Sequence, residues 1–263
     1  MRFLFLFFVI CTSALFSQNY SEFELKIRKN SSGTHLIAKN QLPCSTTFSL
    51  INKSKDSIEK VLIIKSLDSL IVLKSELTTK ELFLEYYKSN YRATFSFGDS
   101  LSSKPEKNVV YTFPFQKNKS YKLLQGWGGS FSHNHSESYH ALDFKMRVGE
   151  PVYAARDGVV VRSVEHFTEN GGREMRDKAN VIMIMHNDGT FASYVHLKAK
   201  GSLVEIGQKI LKGELIGYSG NTGFSSQPHL HFVVRDGTGK SIPIYFKNFE
   251  NKKLRVGKKY TAK

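Results

Sequence analysis

Two textures of hydrophobic and polar residues divide the chain. From about Tyr20 to Phe115, apolar and polar residues alternate in short runs broken by polar turns. Phe23, Leu25 and Ile27 alternate with Glu24, Lys26 and Arg28. Tyr91, Ala93, Phe95 and Phe97 alternate with Arg92, Thr94 and Ser96, and Tyr111, Phe113 and Phe115 keep the same period. A period of two puts every second side chain on one face of a strand, so this half reads as an antiparallel β-sandwich-like domain over residues 18–115. Leu77–Tyr87 fits either a short helix or a connecting loop. This half holds one histidine, His35, and no cluster of metal-binding residues, which favours a structural or targeting role.

The polar stretch Gln116-Lys117-Asn118-Lys119-Ser120 reads as a linker, and beyond it the texture changes. Glycine becomes frequent and eight of the nine histidines appear. Gly158–Val161, Val181–Met185 and Ala192–Leu197 read as successive strands, and the charged stretch Gly172–Lys178 as a loop between two of them. Gly220–Ser226 reads as a loop leading into a strand, Pro228–Val234. On that strand Leu230, Phe232 and Val234 face a core, while His229 and His231 stand on the opposite face, about 6–7 Å apart at their Cα atoms. Long helical periodicity is absent. The fold class is therefore all-β, with a second β domain over residues 121–250. Asn251–Lys263 carries six Lys or Arg and reads as a frayed basic tail.

Composition adds a compartment. Met1-Arg2, the apolar run Phe3–Ile10 and the small residues beyond it describe a secretory signal peptide, residues 1–17, cleaved between Ala14 and Gln18. No later stretch is long and apolar enough to span a membrane. Cleavage removes Cys11 and leaves Cys44 alone, so intrachain disulfides are excluded and Cys44 reads as a small buried hydrophobe. The chain has 263 residues and a formal net charge of +15. That excess suits anionic cell-envelope polymers. No arginine-rich helix or zinc-finger spacing supports a nucleic-acid partner.

The histidines are grouped. His133, His135 and His140 precede Asp143, His196 follows Tyr194-Val195, and His229 and His231 close the set. A catalytic zinc ion needs three protein ligands and an open position, and two histidines with one carboxylate make an accepted set. Further imidazoles can handle the proton of an attacking water.

Three ordered segments carry a resemblance. They are Tyr139–Val160, containing His140-Ala141-Leu142-Asp143-Phe144; Tyr194-Val195-His196-Leu197; and Gly217–Gly223 followed by Pro228-His229-Leu230-His231-Phe232. Together they resemble the signatures of lysostaphin-like (LytM-type) zinc endopeptidases, which cut peptide cross-links of bacterial peptidoglycan. The resemblance covers about Leu124 to Ile244. It implies the duplicated hybrid motif fold, a small antiparallel β domain with a groove. It also implies that Asp143 and His231 bind zinc and that His196 and His229 are catalytic.

The first ligand departs from the simplest pattern, since Tyr139 stands where a His four residues before the Asp is expected. Phe131-Ser132-His133 resembles a longer loop found in some relatives, which points to His133, with His135 and His140 as alternatives. His140 lies three residues before Asp143, an offset that turns it to the other face of a regular strand. His35, His166 and His186 read as surface or strand-end residues. The expected function is an exported zinc-dependent endopeptidase acting on peptidoglycan peptides, periplasmic or at the cell wall. The alternatives are a catalytically inactive wall-binding or regulatory module of the same fold, and a zinc peptidase for non-wall peptides. Substrate choice would lie in loops such as Phe167–Asp177.

Overall fold

Alternation becomes sheet almost wherever the sequence shows it. The computed structural model describes residues 22–263, so the expected signal peptide lies outside the described residues. Two compact units divide between Asp99 and Ser100.

In the first unit, Gly33–Asn40 is the middle strand of an antiparallel sheet flanked by Phe23–Asn30 and Ser69–Ser75. Thr46–Asn52 is the middle strand of a second, flanked by Ser57–Ile64 and Tyr91–Phe97. Leu36, Ala38 and Val72 of the first sheet share one core with Phe48, Leu50 and Ile64 of the second. The helix left open by the sequence spans Lys80–Asn90. Thr79 caps it by accepting the Leu82 N–H, and Phe83 and Tyr87, four residues apart, seal the same core. Cys44 is buried in this unit, and burial, with Glu22 nearby, pushes its thiol up to about 12. It thus behaves as a small apolar side chain. His35 is a correction. It is buried within its strand, where a local turn brings Asn30 Oδ1 to 3.0 Å and Ser32 Oγ to 3.1 Å from its Nε2.

The second unit is built on an eight-stranded sheet, antiparallel at every pairing. Its order is Lys209–Ile210, Gly158–Val164, Val181–Met185, Phe191–Val195, Leu230–Arg235, Leu142–Phe144, Ser120–Gln125, Lys259–Thr261. A three-stranded sheet of Pro151–Tyr153, Leu215–Ser219 and Leu197–Ser202 lies in the same unit. Leu142, Phe144, Ile182, Ile184, Tyr194, Leu230 and Phe232 fill the core beneath the large sheet. Gly172–Lys178 loops out, as its charge implies, with one short 3₁₀ turn at Arg173–Met175. Among the described residues, no helix is long and apolar enough to cross a membrane.

Two boundaries differ from the sequence expectation. Tyr111, Phe113 and Phe115 belong to the second core rather than to the sandwich. Phe113 stacks on Phe246 with ring centroids 4.3 Å apart, and Val110–Tyr111 pairs with Tyr245–Phe246. Gln116–Ser120 is therefore a turn inside the second unit, and the domain limits expected at 115 and 121 move to Asp99 and Ser100. The polar run misled because a turn and a linker have the same composition. Nor is Asn251–Lys263 a frayed tail. Lys259–Thr261 pairs with Ser120–Gln125, and Leu254, Tyr260 and Ala262 are buried. Six basic residues conceal an apolar set that the core needs.

Two fragments test this division. Ser100–Lys263 should fold alone, whereas Tyr121–Lys263 lacks three buried aromatics, each worth about 3–5 kcal/mol on truncation, and should not. Circular dichroism melts of both would decide; a cooperative melt of the shorter fragment contradicts the boundary. Deleting 251–263 from the full chain should lower the melting temperature of the second unit, and an unchanged melt would return that segment to the status of a tail.

Candidate metal centre

Strand register makes the site. Val195 pairs with His231, His231 pairs with Asp143, and Gln125 pairs with Asp143 across four neighbouring strands. Directly paired residues put their side chains on one face, so this row projects together. His231 Nδ1 lies 2.9 Å from Asp143 Oδ1. The opposite face of the same strand carries the buried Leu230, Phe232 and Val234. Burial thus fixes the register, because a one-residue slip would exchange the histidines with the core.

His133 arrives from the loop after Gln125. Its Nδ1 donates to the Gly126 carbonyl at 2.9 Å, which leaves the lone pair on Nε2. That Nε2 lies 3.3 Å from Asp143 Oδ2 and 3.3 Å from His231 Nδ1. The three donor atoms lie within 4.8 Å of one another. Ligands at ~2.1 Å in a tetrahedral zinc shell stand about 3.4 Å apart, which these separations match. His135 is exposed. His140 is turned away: its Nδ1 donates to the Ser241 carbonyl at 2.8 Å, and its ring packs edge-on to Trp127 and Tyr139. Of the three histidines left open by the sequence, the structure brings only His133 to Asp143 and His231.

The donors are electrostatically tense. Burial by itself would raise the Asp143 carboxyl, but the close approach of the His133 and His231 imidazoles outweighs it and holds the carboxyl well below its usual range. Burial lowers His231, against the opposing pull of Asp143. Buried nitrogen lone pairs facing an ionised carboxylate are a poor arrangement unless a cation or proton lies among them. The donor set therefore fits a divalent metal.

Two further imidazoles adjoin it. His196 is the corner residue between Phe191–Val195 and Leu197–Ser202 and adopts φ +65°. This left-handed conformation, uncommon outside glycine, swings the ring toward the metal donors. The corner is held by Asn180 and Thr222, which both bond the Leu197 carbonyl, and His196 Nδ1 donates to the Thr222 carbonyl at 2.7 Å. Burial first, then the neighbouring His229 and His231, depress His196 to about 3, so it is neutral at physiological pH. His229 precedes its strand, bridged to Gly220. Gly220 has no alternative, since a Cβ there would lie 2.3 Å from the Lys198 nitrogen. His229 Nδ1 donates to the Gln227 carbonyl at 2.8 Å and meets Ser225 Oγ at 3.2 Å. Its Nε2 lies 3.8 Å from Asp143 Oδ1, and its ring centroid is 4.6 Å from that of His196. Both rings thus hold their proton on Nδ1 and keep an accepting Nε2.

The sequence reading missed the supports: Asn180, Thr222, Ser225 and the Gly126 and Gln227 carbonyls. Thr222 and Ser225 sit in the Gly220–Ser226 stretch, whose polar residues signalled only a loop. His186 lies at a strand end, directly after Val181–Met185, and is buried there; its Nδ1 donates to the Asp157 carbonyl at 2.7 Å, and burial lowers it to about 4. His166 is exposed, as expected.

Comparison with known proteins adds ancestry to this geometry. Residues 137–243 match the family described as Peptidase family M23. The chain is 32% identical over 173 residues to an uncharacterized metalloprotease of Buchnera aphidicola, covering 62% of this chain and 40% of that one. It is 36% identical over 114 residues to the glycyl-glycine endopeptidase ALE-1 of Staphylococcus capitis, covering 43% and 29%. It is 38% identical over 96 residues to the peptidoglycan DD-endopeptidase ShyA of Vibrio cholerae, covering 36% and 20%. The chain thus spans less than half the length of each of these relatives. The matched stretch contains Asp143, His196, His229 and His231, and also His140, but begins after His133. Over residues 137–243 the second unit thus carries a match to Peptidase family M23, in keeping with the lysostaphin-like (LytM-type) signatures of the sequence.

Proposed function

We propose that this protein is an exported zinc metalloendopeptidase that hydrolyses peptide cross-links of bacterial peptidoglycan. The observation that carries the reading is the convergence of His133 Nε2, Asp143 and His231 Nδ1, with the imidazoles of His196 and His229 beside them. Names of the relatives support the substrate class, since two of them are endopeptidases for glycyl-glycine and peptidoglycan peptides. Export is supported by the apolar N-terminal run Phe3–Ile10.

His133, Asp143 and His231 would hold the zinc ion. When bound, zinc supplies a Lewis acid and a water of lowered pKa. The protein supplies the rest. Nε2 of His229, whose side chain is 12% exposed, takes the proton of the attacking water. Nε2 of His196 lies deeper and also enters as an acceptor, because its Nδ1 proton is committed to Thr222. Whichever ring accepts the proton becomes a donor, able to bond the tetrahedral oxyanion or return the proton to the leaving amine.

Incubation with purified peptidoglycan, followed by identification of newly exposed termini, tests the reading directly; intact cross-links in the presence of zinc would refute it. His229→Ala and His196→Ala should each lower kcat by about a hundredfold or more and retain most of the zinc. Zinc content measured on the same preparations checks the roles. His133→Ala should weaken zinc binding by at least about a hundredfold, while His140→Ala and His135→Ala leave it near wild type. Chelation should abolish hydrolysis and lower the melting temperature of the second unit, because zinc at ~100 times its Kd contributes about 2.7 kcal/mol. Re-addition of zinc should restore both.

A further inference from the structure

Gln125 adjoins the metal centre and is given no part in the chemistry above. The strand that ends in it is bulged. Leu123 pairs with Phe144, but Gln125 rather than Leu124 pairs with Asp143. One extra residue re-aims a side chain, and here it sets an amide beside the carboxylate. Both ends of that amide are used. Nε2 donates to Asp143 Oδ2 at 3.2 Å and to Ser132 Oγ at 2.8 Å, while Oε1 accepts the Phe131 N–H at 3.2 Å. Phe131 and Ser132 are the two residues before His133.

Space is reserved for this arrangement. A Cβ on Gly129 would lie 2.3 Å from Gln125 Cγ and 2.7 Å from Cδ, and its three nearest neighbours are all atoms of Gln125. On another flank Gln125 lines an open cavity of about 610 Å³ with Trp127, Gly129 and Arg255. Close packing does not enclose the amide there, so hydrogen bonds have to fix its rotamer.

We propose that Gln125 is a positioning residue whose amide ties the loop carrying His133 to Asp143, setting the spacing of the metal donors before the metal arrives. The inference rests on the reading of His133, Asp143 and His231 as zinc ligands. The amide suits the task because it is neutral. It donates to Oδ2 and leaves Oδ1 for His231 without adding a charge to the donor set. Outer partners that orient ligands in this way typically contribute 10–100-fold to metal affinity.

The test uses the full chain and zinc, titrated in competition with a chromophoric chelator. Gln125→Met removes all three hydrogen bonds at nearly constant volume. It should weaken zinc binding by about 10–100-fold and lower kcat with little change in KM, while metal-free melting stays close to wild type. Gly129→Ala should reproduce the zinc defect by displacing the amide. In a Gln125→Ala background, where that space is free, Gly129→Ala should add little further loss. Wild-type zinc affinity in Gln125→Met overturns the proposal. So do additive losses from the two positions, or a zinc defect matched by an equal loss of metal-free stability. If Gln125→Met fails to fold, the Gly129→Ala and Gln125→Ala pair decides by the same criterion. A wild-type chain that binds no zinc would instead overturn the metal-centre reading itself.

Discussion

Everything at the metal centre depends on the register of one sheet. His231 opposes Asp143, and Val195 opposes His231, so that His196 follows at the corner where the chain leaves the strand. The metal donors do not set this register. It is set by Leu230, Phe232 and Val234 on the opposite face, which are buried to within 1% of full exclusion. The hydrophobic effect thereby holds polar groups in an arrangement that they would not choose themselves. Asp143 and two histidines repel solvent loss individually, yet the same strands that bury the core oblige them to meet. The cost is carried by the core, and the outcome is a preformed donor set.

Much of this was legible in the sequence, for a definable reason. Alternation along Pro228–Val234 gives both the strand and the faces of His229 and His231, because period two is local. Alternation also gives the sandwich strands of the first unit. What local pattern cannot give is pairing across long separations. His133 and His231 are 98 residues apart, and three histidines before Asp143 carry similar local signals. Only the Gly126 carbonyl, the Ser241 pair and the bulge at Leu124–Gln125 separate them, and all three are tertiary facts. The misplaced boundary at Gln116–Ser120 has the same origin. Phe113 alternates like a sandwich residue, yet its partner Phe246 lies far along the chain. The basic tail misled because charge was counted while Leu254, Tyr260 and Ala262 were not.

The two imidazoles beside the donors show how the fold separates roles among identical side chains. His196 is buried at a strained corner and pinned by a carbonyl, and so is rigid and uncharged. His229 has its Nδ1 fixed by the Gln227 carbonyl but stands nearer to solvent. One ring is therefore fixed in the interior and the other is held closer to solvent. The difference comes from Asn180, Thr222 and Ser225, small polar residues whose contribution is to leave each ring a single tautomer.

The pairing of Ser120–Gln125 with Lys259–Thr261 also orders events in time. Ser120 and Thr261 bond across 141 residues, whereas Gln125 and Asp143, on that strand and its other neighbour Leu142–Phe144, are 18 residues apart. Closing the longer loop costs more entropy and comes later in folding. A chain made from its N-terminus therefore completes the Asp143 side of the strand early and waits for its last partner until every site residue has been synthesised. The sheet that carries the centre is thus closed at this edge only by the last strand of the chain.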